Sequence, residues 1–175
     1  EAGDRFGLAV SHLLGGGEGE SLHSFLSSVG LDQSHELEPV DIADVMTIQG
    51  RAIEFPTGLD RLQASLVRDF PESEEDLESF FGFMRAFMGD AADARETGRF
   101  MMRNYRRGFE AFCTETIADP VLRTALSMRI QCDNSSLMIM SGFITECYGK
   151  GMVYPVGGVR ALGDSIVARI RDLGG

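Results

Sequence analysis

The last twenty-five residues, Gly151–Gly175, constrain this chain more than any other stretch. A short β-prone piece, Met152-Val153-Tyr154, meets Pro155, then the pair Gly157-Gly158, then a run rich in apolar residues. In that run Val159, Leu162, Ile166, Ile170 and Leu173 recur at spacings of three and four, which puts them on one face of a helix. Asp164, Arg169 and Arg171 fall off the stripe, and Gly174-Gly175 suits a C-terminal cap. A strand must therefore become a helix within a few residues, and the paired glycines are where that change can occur. Two residues without side chains make either a plain tight turn or a place where backbone N–H groups approach a ligand closely. In the second case they would do so at the positive end of the helix dipole.

The rest of the chain bounds the reading. Its 175 residues suffice for a sizeable core, and 43% hydrophobic with 25% charged residues is ordinary for a globular domain. We read 1–175 as a single domain, without repeats or low-complexity linkers. A net charge of −11 argues against nucleic acid, because phosphate binding needs a basic surface. The densest basic cluster, Arg99, Arg103, Arg106 and Arg107, is short. Cys113, Cys132 and Cys147 lie too far apart for a zinc site or a disulfide framework and read as buried thiols of a reducing compartment. His12, His23 and His35 are scattered singles, each more simply structural than catalytic. The longest apolar run, Ser135 to Ile144, is too short to span a bilayer.

Taken in order, residues 1–14 read as a β-prone entry before the turn Gly15-Gly16-Gly17, and Ser21 to Val29 as a helix ended by Gly30. Ile42–Ile48 and Ala52–Phe55 form a hairpin about Gln49-Gly50-Arg51. Thr57 is placed to cap a helix through about Phe70 with Leu59, Leu62, Leu66 and Phe70 buried. Ser73-Glu74-Glu75-Asp76 has the form of a capping box opening a long helix, with a break expected at Gly98. Helices over Gly108–Ile117, from Asp119-Pro120 to Ile130, and from Asn134 or Ser135 complete the chain. The fold class expected is α+β, mostly helical with a small antiparallel sheet. No G-x-G-x-x-G follows a strand anywhere, so a Rossmann-type flavin or nucleotide domain is not expected.

Tyr154-Pro155-Val156-Gly157-Gly158, the apolar helix and the closing Leu173-Gly174-Gly175 together resemble the phytoene desaturase, carotenoid isomerase and retinol saturase branch of FAD-dependent oxidoreductases. The hairpin, the helix and Asp69-Phe70-Pro71-Glu72 follow the same order in that family, as does Asp119-Pro120-Val121-Leu122-Arg123 before an apolar helix. Where the family carries Phe-Asp-x-Gly, this chain has Phe6-Gly7-Leu8-Ala9, so direct flavin contact is not assigned there.

The resemblance implies that this chain is the substrate-binding domain of a longer, phytoene-dehydrogenase-like enzyme. Tyr154, Gly157, Gly158, Val159 and Arg160 would then lie at the substrate cavity. The substrate would be lipophilic, a carotenoid-like polyene to be desaturated, saturated or isomerised. FAD would belong to the full-length protein and be held by the missing flavin-binding domain of the same polypeptide, so this chain alone would be inactive. No residue stands out as a general acid, base, nucleophile or metal ligand, which suits chemistry carried by a cofactor. Twelve Phe and nine Met with no Trp fill a helical core or line an apolar cavity equally well. Lys150, the sole lysine, reads as an ordinary exposed side chain. The expected location is cytoplasmic, with at most weak peripheral contact with a membrane given the acidic balance. The alternatives are the substrate domain of a flavin amine oxidase, for which three tyrosines offer little of an aromatic cage, and a helical interaction module without cofactor.

Overall fold

The computed structural model describes residues 13–31, 36–89, 94–127 and 135–175. Over these the chain is α+β, mostly helical with small antiparallel sheets. In chain order come β1 (Leu13–Leu14), α1 (Ser21–Ser28), β2 (Leu37–Pro39), β3 (Ile42–Ile48) and β4 (Arg51–Pro56). Helices follow as α2 (Leu59–Asp69), α3 (Glu74–Met88), α4 (Ala94–Asn104), α5 (Phe109–Thr116), α6 (Pro120–Ser127) and α7 (Leu137–Ile144). The chain closes with β5 (Met152–Pro155) and α8 (Gly158–Asp172). Contacts sort it into two compact units, Ile42–Gly149 and the described residues up to Asp41 together with Lys150–Gly175.

In the unit built from both ends of the sequence, β5 is the central strand, antiparallel to β1 on one side and β2 on the other. Val153 lies opposite Leu13 and Pro39, and Tyr154 opposite Glu38. Leu26, Leu31 and Leu162 form the buried core, with Leu13, Leu22, Val29, Leu37 and Ile166 packed against it. Gly30 ends α1 as expected. It turns left-handed (φ +74°), and the Leu31 N–H reaches the Leu26 carbonyl at 2.8 Å. Gly174 and Gly175 close α8 the same way, donating to the Arg171 and Ile170 carbonyls at 3.0 Å each. The expected stripe of α8 is buried only at Leu162 and half-buried at Val159 and Ile166. Ile170 and Leu173 are 52% and 68% exposed, because the unit's apolar partners reach no further than Ile166.

In the Ile42–Gly149 unit, β3 and β4 make the expected hairpin, with Ile48 opposite Arg51 across Gln49-Gly50. Both turn residues have positive φ (50° and 79°), the tight turn whose twist matches the strands. Leu59, Leu62, Leu66 and Phe70 are buried as expected. The N-cap of α2, however, is Gly58 and not Thr57. The chain turns at Gly58 with φ 99°, where its N–H donates to the Tyr148 carbonyl at 2.6 Å.

Other caps also differ from expectation. The Ser73 side chain makes no capping bond, because a 3₁₀ turn over Pro71–Ser73 precedes α3. The Asp76 carboxylate instead accepts the Ala118 N–H at 2.8 Å, tying α3 to the α5–α6 connection. Helix α3 stops at Gly89 (φ +62°), whereas Gly98 sits inside α4 with open space around it. Asp119 caps α6 as expected, accepting from the Val121 and Leu122 N–H groups at 2.7 and 2.9 Å. The far end expected at Ile130 lies outside the described residues. Ser136, one or two residues later than expected, caps α7 by accepting the Met138 N–H.

The core of this unit is aromatic. Phe80 meets Phe81, Phe109 and Phe112 with ring centroids 5.4 to 6.4 Å apart, and Phe83 bridges Phe112 and Phe100. Phe80, Phe81, Met84, Phe109, Phe112 and Met140 are thus packing residues.

Candidate functional site

The five residues singled out from sequence lie in one continuous turn. β5 is held on both edges: the Val40 N–H donates to the Met152 carbonyl at 2.8 Å and the Val156 N–H to the Glu36 carbonyl at 2.9 Å. Pro155 ends the strand, and Gly157 (φ +83°) and Gly158 (φ +85°) both take left-handed backbone before α8 rises. L side chains rarely adopt that conformation, so the glycine pair is required by the turn itself. Space is short as well. A Cβ at Gly157 would lie 3.1 Å from the Ala161 Cβ, and one at Gly158 would lie 3.3 Å from the Tyr154 hydroxyl.

The same geometry draws a small polar locus. The Tyr154 hydroxyl stands beside the first residue of α8, whose N-terminus carries no side-chain cap. Tyr154 is 39% exposed, Val159 is half-buried, and Arg160 is exposed with its guanidinium 3.6 Å from Asp164 one turn on. An exposed pair of this kind contributes little to stability. Chemically the turn can present a phenol and the leading N–H groups of a helix to a ligand, with no side chain between ligand and backbone at Gly157 and Gly158. It holds no nucleophile or general base.

The remaining candidates sort as follows. His23 accepts the Gly19 N–H at Nδ1 over 3.4 Å, a local structural role, while His12 and His35 lie outside the described residues. So do Phe6-Gly7-Leu8-Ala9 and Cys132. Cys113 and Cys147 are buried free thiols. Burial pushes the Cys113 thiol up to about 12, outweighing the downward pull of the Ser127 hydrogen bond and Arg123, so it stays protonated and inert. Lys150 is exposed and leads into Gly151 (φ +99°). Among the described residues, no group of His, Cys, Asp and Glu could hold a metal ion, and no helix is long and apolar enough to cross a membrane.

Some contacts carry no sequence signal. A π-helical turn, Thr145–Lys150, follows α7 and places the Tyr148 hydroxyl 2.7 Å from the Asp44 carboxylate, 104 residues away. Surface clefts lie along α4 among the described residues of the Ile42–Gly149 unit. One, of about 250 Å³, is lined by Arg85, Gly89, Thr97, Phe100 and Arg103 among others, and another by Glu96, Arg99, Met102 and Arg103. Neither includes any of the five residues from the Tyr154–Arg160 turn.

No family model, curated protein or solved structure matches this chain.

Proposed function

We propose that this chain is the substrate-binding portion of an FAD-dependent oxidoreductase of the phytoene desaturase type, acting on a lipophilic polyene. The observation that carries the reading is the Tyr154–Arg160 turn. A strand paired on both edges delivers two left-handed glycines and a tyrosine hydroxyl to a helix start without a side-chain cap, and this supports a place for a ligand close to the backbone. In this reading Gly157 and Gly158 let the substrate approach the backbone closely, and Tyr154, Val159 and Arg160 border the cavity. The described residues contain no parallel strand–turn–helix unit of the kind that cradles a dinucleotide pyrophosphate, every strand pairing among them being antiparallel. In this reading FAD is held by a flavin-binding domain of the same polypeptide, outside this chain. This chain contributes placement of the substrate, and no chemical step is assigned to its side chains. An amine substrate fits less well, since of the three tyrosines Tyr148 is buried with its hydroxyl on Asp44.

The test is purification of the longer polypeptide that contains this chain. It should be yellow, release FAD on denaturation and turn over a carotenoid-type polyene. Gly158→Val in that protein should lower kcat/KM for the polyene while FAD content is retained. A colourless polypeptide, or one with no G-x-G-x-x-G ahead of residue 1, refutes the reading.

A further inference from the structure

The chain is strongly acidic, yet one of its helices is not. α4 carries Arg95, Arg99 and Arg103 on successive turns against the single acid Glu96, and Arg106 and Arg107 follow directly. Even with Asp90 and Asp93, which precede α4 in the sequence, residues 89–107 remain net positive in a chain of net charge −11. The half-buried Phe100 and buried Asn104 turn α4 toward its unit, which directs Arg95, Arg99, Met102 and Arg103 outward. Arg99 and Arg103 make no ion pair with another described residue.

Apolar side chains stand among these charges. Met102 is 70% exposed and Tyr105 49%. The start of α7 is brought alongside by the Leu137 N–H donating to the Arg107 carbonyl at 2.9 Å and by the bridge between Gly108 and Ser136, and Ile139 on it is 72% exposed. α7 itself bears no charged residue.

We propose that α4 with Tyr105–Arg107, flanked by Ile139 of α7, docks on an anionic lipid bilayer. The partner follows from charge and shape. Guanidinium groups on successive turns of one outward helix face meet a laterally extended negative surface, and the exposed thioether and phenol among them, with the isoleucine of the neighbouring helix, reach shallowly into the interface. The proposal is independent of the flavin reading, because lipid binding is measured on this chain without cofactor or substrate.

The experiment is vesicle co-sedimentation with phosphatidylglycerol–phosphatidylcholine mixtures and with pure phosphatidylcholine, at low and at physiological salt. Binding should require phosphatidylglycerol and weaken with salt. Each arginine neutralised should weaken it about fivefold, so Arg99→Gln/Arg103→Gln loses about 25-fold and Arg99→Glu/Arg103→Glu more. The matched reversal Arg61→Glu/Arg68→Glu, at two exposed arginines of α2 in the same unit, should change binding little. Because the chain has no tryptophan, Met102→Trp supplies a single reporter whose emission should shift to the blue only with the anionic vesicles. Circular dichroism confirms that each variant is folded. Equal binding to pure phosphatidylcholine, equal losses from the two reversals, or an unshifted tryptophan overturns the proposal. So does binding to polyglutamate in preference to vesicles, which would assign the face to an acidic protein.

Discussion

Glycines in and around α8 have opposite tasks, and alanine separates them. Gly157 is held left-handed at φ +83°, and an added Cβ would stand 3.1 Å from that of Ala161, close enough that Ala161 must yield by a few tenths of an ångström. The left-handed backbone alone costs an L residue about 1–2 kcal/mol. The reduced freedom of the unfolded chain returns about 0.4–1 kcal/mol of that. Gly157→Ala should therefore destabilise by about 1 kcal/mol. Gly163, six residues on, lies exposed within the helix with nothing inside 4 Å of its added Cβ. There the substitution only removes a poor helix former, so Gly163→Ala should stabilise by about 0.5–1 kcal/mol. The two variants differ in sign and should stand about 2 kcal/mol apart. Urea unfolding followed by circular dichroism at 222 nm, a wavelength that reports helix, would show a separation in midpoint of roughly 1 M for a slope of about 2 kcal/mol/M. Equal midpoints, or a reversed order, would sink the claim that the turn's conformation is what demands a glycine at position 157.

Three further outcomes follow from the packing. Asp119→Ala removes the acceptor of two N–H bonds at the start of α6 and should lower stability by about 1–2 kcal/mol, with Asp119→Asn retaining most of it, by the same urea assay. Phe80→Ala, at a fully buried ring touching three other phenylalanines, should lower stability by about 3–5 kcal/mol. Cys113 should resist alkylation by iodoacetamide at pH 8–9 in the native protein and react once unfolded, read by peptide mass mapping. Its folded thiol titrates higher than in the unfolded chain, so the stability it contributes is present below about pH 9 and is lost as pH rises toward about 12.

What could be read ahead of the structure was whatever depends on neighbours along the chain. The hairpin was legible because Gln49-Gly50 supplies two positive φ values between β-prone runs, and α2 because its leucines keep helical spacing. The Asp119-Pro120 cap and the closing glycines at 30 and 174 were legible for the same reason. Caps decided by distant groups were not. Thr57 lost its place because Gly58 is drawn to the Tyr148 carbonyl, and Asp76 is engaged by Ala118 rather than by its own helix start. Gly98 and Gly89 are the same residue to a sequence pattern; only the left-handed turn at Gly89 ends a helix. The candidate turn was visible as a motif from Tyr154 to Arg160, but the approach of the Tyr154 hydroxyl to Gly158 was not.

The placement of β5 between β1 and β2 has a consequence for biosynthesis. Both outer strands leave the ribosome more than a hundred residues before their shared partner exists. At ordinary elongation rates they wait on the order of ten seconds as unpaired edges. The segment from Ile42 to Gly149, contiguous in sequence, has that interval in which to collapse, and the end-to-end sheet can close only afterwards. Ribosome-bound nascent chains stalled just short of Met152 should accordingly leave Leu13–Leu14 and Leu37–Pro39 open to proteolysis or chaperone capture, and extension past Pro155 should remove that sensitivity.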